Sequence, residues 1–223
     1  MWSAIGDTLP LAVGLALSPV ALATAVMLLL GSRGRVKTAL FGVGWFVVLL
    51  VITAIAAAIV DVADDDAPEA TKDGVDIVLL VIAVLFAVLA LIAWKKRPKE
   101  GDEEKPSILD RLDGLSVWGA LAMGFAQGVI VIKNIPLAAA AGARLGEADL
   151  DTAALIVGLV VFALVAASGV IIPLVLAVLG GERAAPILAR FRDWLSYNMT
   201  TISIVVLVVL SAYFFGQGIG ILD

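Results

Sequence analysis

Two residue types are missing from this chain altogether: none of its 223 residues is cysteine and none is histidine. Disulfides, thiol relays, thiolate metal sites and imidazole chemistry are excluded together, and zinc and haem lose their usual ligands. Carboxylates are present, yet none falls in the middle of a long apolar run. Carriers of cations and protons usually place one there, so a cation carrier is disfavoured. There is no nucleotide-binding glycine loop and no cluster of nucleophile, base and orienting group. The expectation is therefore no enzyme, no catalytic residue, no metal and no cofactor. A net charge of −5, spread over loops, argues against nucleic acid as a partner.

What is present is overwhelmingly apolar. Hydrophobic residues make up 62% of the chain, charged ones only 16%, and the mean hydropathy is +1.10. Ordinary globular domains do not reach such values, so the chain reads as an integral membrane protein. A bilayer core about 30 Å thick takes roughly 20 apolar residues per helix. Six such spans are predicted, near 9–30, 38–60, 75–94, 117–142, 152–180 and 199–219. Strand spans would need alternating polarity, which is not seen. Ala21-Leu22-Ala23 resembles a signal-peptide cleavage site, but the stretch before it lacks a cation and carries Asp7, so cleavage is not expected.

Cations set the predicted orientation. Arg33, Arg35 and Lys37 follow span one; Lys95, Lys96, Arg97, Lys99, Lys105 and Arg111 follow span three; Arg183, Arg190 and Arg192 follow span five. These are twelve of the fifteen cations, and the positive-inside rule puts their loops in the cytoplasm and both termini outside. The hydrophilic linker 95–116 then divides a first three-helix repeat, 1–94, from a second, 117–223. Because three is odd, the second repeat enters the membrane from the opposite side. The predicted fold is all-α, six transmembrane helices as two inverted three-helix repeats, N-out and C-out.

Proline marks the same place in each half. Pro19, in GLALSPVALATA, and Pro136, in VIKNIPLAAAAG, interrupt spans one and four. Each lacks an N–H, so carbonyls near Leu15 and Ile132 are expected to lose their helical partners. Unpaired groups in hydrocarbon cost roughly 2–7 kcal/mol, so both breaks should face protein or a wet cavity. Ser18, Thr24, Gln127 and Asn134 lie near them. Lys133 lies well inside span four. It either snorkels toward the outer interface or stays buried as an anion-binding group. Only Asp7, Asp76 and Asp151, all near outer helix ends, are plausible internal counter-ions. Should none reach it, the missing anion is the cargo, and a kinked helix can offer backbone amides as well. The candidate binding residues are thus Lys133, Asn134, Gln127, Pro136, Ser18, Pro19 and Thr24.

Two further patterns concern packing and the inner surface. Gly124-Phe-Ala-Gln-Gly128 is a small-xxx-small sequence that permits close helix approach. PILARFRDWLS, from Pro186, and more weakly PSILDRLDGLS, from Pro106, have the spacing of interfacial helices, and Trp94, Trp118 and Trp194 fit an inner aromatic belt.

The run ALSPVALATAVMLLLGSRGRVKTALFGVGW resembles the first two spans of the GAP family, the peptidoglycolipid- and sulfolipid-addressing proteins of actinobacteria, within the LysE exporter superfamily. IKNIPLAAAAG resembles that family's Asn-Pro-Lys-Asn segment, with Lys133 and Asn134 on its Lys-Asn pair and Val131 and Ile132 in place of Asn-Pro; IIPLVLAVLGGERAAPILARFRDWL resembles its fifth span and following loop. The resemblance implies a six-span transporter of the bacterial plasma membrane, built as two inverted repeats, that moves or addresses glycolipids to the outer envelope. The residues alone point to an anion-recognising translocator, and the lipid comes only from the resemblance; three readings stay open: translocation of an amphipathic anionic lipid or lipid-linked glycan by alternating access, LysE-like export of a small soluble anion or amino acid, and a membrane scaffold that recruits envelope-biosynthesis proteins through KKRPKEGDEEKPS. Membrane lipids or glycolipids are the expected cargo, and a homo-oligomer is compatible with the packing motif.

Overall fold

In the computed structural model the described residues are 2–63, 70–95, 97, 112 and 114–220, with side chains described outside 61–78. Residues 64–69 of the acidic loop and most of the linker 95–116, including 106–111 and 113 of the interfacial segment expected from Pro106, lie outside them. The described residues form α-helices and no strand, as hydrocarbon requires of a chain that must satisfy every backbone group internally. In order these are α1 (Trp2–Ala16), α2 (Pro19–Leu30), α3 (Gly34–Ala63), α4 (Ala70–Lys95), α5 (Val117–Ile130), α6 (Asn134–Gly146), α7 (Thr152–Gly180) and, after a 3₁₀ turn at Gly181–Arg183, α8 (Ala184–Gly218).

Gly34–Val60 and Thr152–Gly218 are long and apolar enough to cross a membrane. The pairs α1 with α2 and α5 with α6 add one candidate span each when counted as broken helices, bent by 59° and 77°. The protein is thus an all-helical, membrane-embedded chain with two to four candidate spans among the described residues. The segment expected as a separate interfacial helix from Pro186 is instead the first part of α8, continuous with the predicted sixth span. Leu188 and Leu195 on it are buried, while Ile187 and Trp194 are exposed.

Packing divides the chain into two units, Met1–Asp61 with Glu104–Tyr197, and Val62–Glu103 with Asn198–Asp223. In the first, α1 packs on α6 and α7, and α2 on α7. Leu11, Leu15, Phe41, Trp45, Leu137, Leu145 and Phe162 are fully buried there, while large apolar residues such as Ile55, Ile156 and Leu179 point outward. That outward face suits lipid, which removes the usual drive to hide apolar side chains and leaves close packing to hold helices together.

Glycine supplies that packing along one seam. A β-carbon on Gly124 of α5 would meet the Phe41 carbonyl of α3, and one on Gly44 would meet the Leu121 carbonyl in return. On α6, Gly142 faces the Thr53 carbonyl and Gly146 the Ala57 carbonyl. The broken pair α5–α6 is therefore held backbone to backbone along α3. In the second unit, α4 pairs with Asn198–Gly218 of α8 through a hydrogen bond from the Ser211 hydroxyl to the Ala83 carbonyl, 2.8 Å, and through Phe86 against Phe214, ring centroids 5.7 Å apart.

Gly124→Val should lower the thermal unfolding midpoint of the detergent-solubilised protein, because overpacking a tight contact costs about 1–3 kcal/mol. Gly6→Ala, where a β-carbon meets nothing within 4 Å, should leave it unchanged or raise it.

Candidate functional site

The break between α1 and α2 begins with what Pro19 cannot donate. In a continuous helix the Leu15 carbonyl would receive an N–H from residue 19. Here the Ser18 N–H takes that carbonyl at 3.2 Å, closing a tighter turn, with Ser18 extended at φ −78°, ψ 108° as a residue before proline prefers. The rescue displaces the deficit by one residue. Ser18 would ordinarily have bonded the Gly14 carbonyl, which is left without a helical donor.

Lys133 fills that vacancy. Its Nζ donates to the Gly14 carbonyl at 2.7 Å, across 119 residues of sequence, and the residue is only 8% exposed. The side chain turns inward rather than snorkelling. A cation at the carboxyl end of a helix also complements the partial negative charge there. Among the described residues no carboxylate forms an ion pair with it. Of the three acids considered as counter-ions, Asp151 caps α7, accepting from the Ala154 N–H at 2.9 Å; Asp7 forms no ion pair among the described residues; the Asp76 side chain lies outside them.

The second break, at 131–133, is built by different means. Val131 N–H bonds the Gln127 carbonyl at 3.3 Å and ends α5; Asn134 N–H bonds the Val131 carbonyl at 2.8 Å and starts α6. The Asn134 side-chain amide then donates to the carbonyls of Gln127 and Gly128, at 3.2 and 3.3 Å. Pro136 is the third residue of α6, where its missing N–H breaks no helical bond. The break precedes the proline instead of being forced by it, unlike the one at Pro19.

Neighbouring residues thus cap the carboxyl ends of both interrupted helices, Lys133 that of α1 and Asn134 that of α5. The amino ends of the continuing helices have no side-chain cap: Ser18 precedes α2 and Lys133 precedes α6, and neither side chain bonds the first turn. Gln127 ties the two broken pairs together, donating Nε2 to Thr24 Oγ1 at 2.9 Å, while Thr24 donates to the Val20 carbonyl at 2.8 Å.

This network fixes the amide orientations. Because Thr24 spends its proton on Val20, it can only accept from Gln127, which must present its NH₂. Asn134 faces two carbonyls and must do the same. Gln127 Oε1 and Asn134 Oδ1 are therefore turned away, and both are buried without a partner among the described residues, as is Ser18 Oγ. Three orphan oxygens beside one buried lysine are what the site offers: two obligate acceptors, one hydroxyl that can do either, and an ammonium with one of its three donors on Gly14. The structure links Asn134, Gln127 and Thr24 by hydrogen bonds and ties the adjacent Lys133 separately to Gly14, with Ser18 and Pro19 forming the turn that frees Gly14 and Pro136 in the first turn of α6.

Two participants are not among the residues singled out by sequence. Gly14 contributes only a carbonyl, which no side-chain pattern marks. Gly169 of α7 lies so close to the Ala16 carbonyl that a β-carbon there would clash. The small-residue run Ala166-Ala167-Ser168-Gly169 in α7 is its sequence signal.

Lys133→Met should strand the Gly14 carbonyl and lower the unfolding free energy by about 1–3 kcal/mol, and Asn134→Asp, which sets an oxygen against two carbonyls, by a similar amount. Thermal melts of purified protein with both midpoints unchanged would refute the capping roles.

Residues 8–220 match the family described as SfLAP, Sap, sulfolipid-1-addressing protein. No curated protein and no solved structure matches the chain. The matched stretch takes in both helix breaks, the lysine that caps the first and the asparagine that caps the second, and the chain belongs to the sulfolipid-1-addressing protein family.

Proposed function

We propose that this protein carries an amphipathic, anionic glycolipid across the bacterial plasma membrane, with the head group at the paired helix breaks and the tails in lipid. Six spans in two inverted repeats, moving against each other by alternating access, would expose the breaks to one side and then the other. No enzymatic step is involved in this reading, and the energy comes from a gradient, a partner or consumption of the lipid beyond the membrane.

The observation that carries the reading is the mixed character of the buried site. A simple anion would be served by Lys133 and by the uncapped amino ends of α2 and α6, but it could not satisfy the acceptor oxygens of Gln127 and Asn134. Those oxygens call for hydroxyl donors. A head group with both an anionic oxygen cluster and sugar hydroxyls answers the whole inventory, and a sulfolipid, the lipid in the family's description, supplies the anionic part. Lys133 would attract the charge, Gln127 and Asn134 would accept from hydroxyls, and Ser18 would bond either. A LysE-like exporter of soluble amino acids or anions shares the ammonium but needs no path open to lipid. A scaffold for envelope-biosynthesis proteins would not need the breaks at all.

Ser18→Ala separates function from folding, since Ser18 Oγ has no partner to lose. Its melting midpoint should stay unchanged or rise, while the outer-leaflet amount of the affected lipid, measured by lipidomics of the surface extract, should fall about tenfold if one hydrogen bond to a charged group is lost. Full lipid delivery by Ser18→Ala and by Lys133→Met together would sink the carrier reading. Unchanged lipids with retained soluble metabolites would favour the soluble-anion exporter.

A further inference from the structure

A second binding feature lies in the other packing unit and has no part in the site above. Between α4 and the Asn198–Gly218 part of α8 runs an apolar furrow of about 540 Å³, within the range of small-molecule sites. Its floor comes from small side chains at helical spacing. Ala83, Ala87 and Ala90 line it from α4, and Ser211 and Ala212 from α8. The two helices are pinned by Ser211 on the Ala83 carbonyl, which also spends the Ser211 hydroxyl and leaves the furrow dry. From Ala83 to Trp94 the furrow follows eleven residues, about 16 Å at 1.5 Å per residue. That is the hydrocarbon depth of one leaflet, half of about 30 Å.

The two ends differ in charge. Trp94 closes one end, with the Arg97 guanidinium stacked over its ring at 4.5 Å and Lys95 exposed beside it. Residues 77–94 and 198–218 carry no charge of either sign, so these two cations meet no acid on the walls. The acids at 100–104 lie outside the described residues. Tryptophan beside a cation at a helix end is the chemistry of the head-group level, and the distribution of lysine and arginine puts this end in the cytoplasm.

We infer that this furrow binds one anionic phospholipid of the cytoplasmic leaflet, its phosphate held by Arg97 and Lys95 and one acyl chain laid against Ala83, Ala87 and Ala90. Length selects a chain one leaflet deep, the alanines admit it, and the cations choose the sign of its head group. The inference stands whether or not the protein carries a glycolipid, because the furrow shares no residue with the helix breaks.

The experiment is native mass spectrometry of the purified full chain, delipidated and re-equilibrated with phosphatidylglycerol or phosphatidylcholine. One retained phosphatidylglycerol per chain is expected, preferred about thirtyfold over phosphatidylcholine, as two cations near a surface would give. The double variant Lys95→Gln, Arg97→Gln should abolish the preference and leave chain binding. Ala212→Leu, at an exposed position where a larger side chain fills the furrow, should abolish retention of both lipids with an unchanged melting midpoint. Retention by Ala212→Leu equal to that of the unaltered chain overturns the proposal, as does equal retention of the two lipids by the unaltered chain. A dimer that Ala212→Leu dissociates would assign the furrow to a second copy and overturn it equally.

Discussion

A backbone carbonyl in hydrocarbon needs a donor, and in this protein the decisive one is the Gly14 carbonyl held by Lys133. Everything around the helix breaks follows from that requirement. Pro19 withholds an N–H, Ser18 moves to cover for it, and the shortfall passes to Gly14. The lysine that meets it starts the second half of the other broken helix, so stabilising the end of α1 also locates the start of α6. One bond thereby couples two interruptions that lie more than a hundred residues apart. The same economy governs Asn134, whose amide closes the end of α5 from the first turn of the helix that follows.

Capping with donors has a chemical corollary. An amide side chain that turns its NH₂ toward a partner, helix carbonyls for Asn134 and the Thr24 hydroxyl for Gln127, turns its own oxygen the other way. Gln127 and Asn134 accordingly leave oxygens without partners in a buried place, where water-soluble proteins rarely tolerate them. The breaks thus generate the polarity of the site as a by-product of keeping the helices intact. In the proposed carrier, stability and recognition would share atoms, and Ser18, with no hydrogen bond to lose among the described residues, is the cleanest position at which to tell them apart.

Much of this was legible in the sequence. The absence of mid-span carboxylates, the lysine inside span four, and the proline in each half located the breaks and the residues around them. The Gly124-xxx-Gly128 pattern announced a close helix contact, although not that α3 was its partner. What could not be read was where each deficit would be met. Leu15 looked like the stranded carbonyl because the rule counts four residues back from proline; the local shift to Gly14 depends on a turn that tightens only in three dimensions. Pro136 looked like the cause of the second break, whereas the chain bends three residues earlier and the proline sits harmlessly in the first turn of α6. Hydropathy also separated the 186–196 stretch from the last span, because arginines lower a windowed average without interrupting the helix they belong to.

The glycine seam has a mechanical side. At Gly44, Gly124, Gly142 and Gly146 the α5–α6 pair meets α3 with a backbone carbonyl as the nearest atom across the contact. Sliding one helix along the other at those four positions moves backbone past backbone, and Val48, seated on Gly128 between them, is a side chain that such a slide must carry along. The surface works as a bearing rather than a gear, and shear, the small-amplitude motion available to packed helices, is cheapest along it.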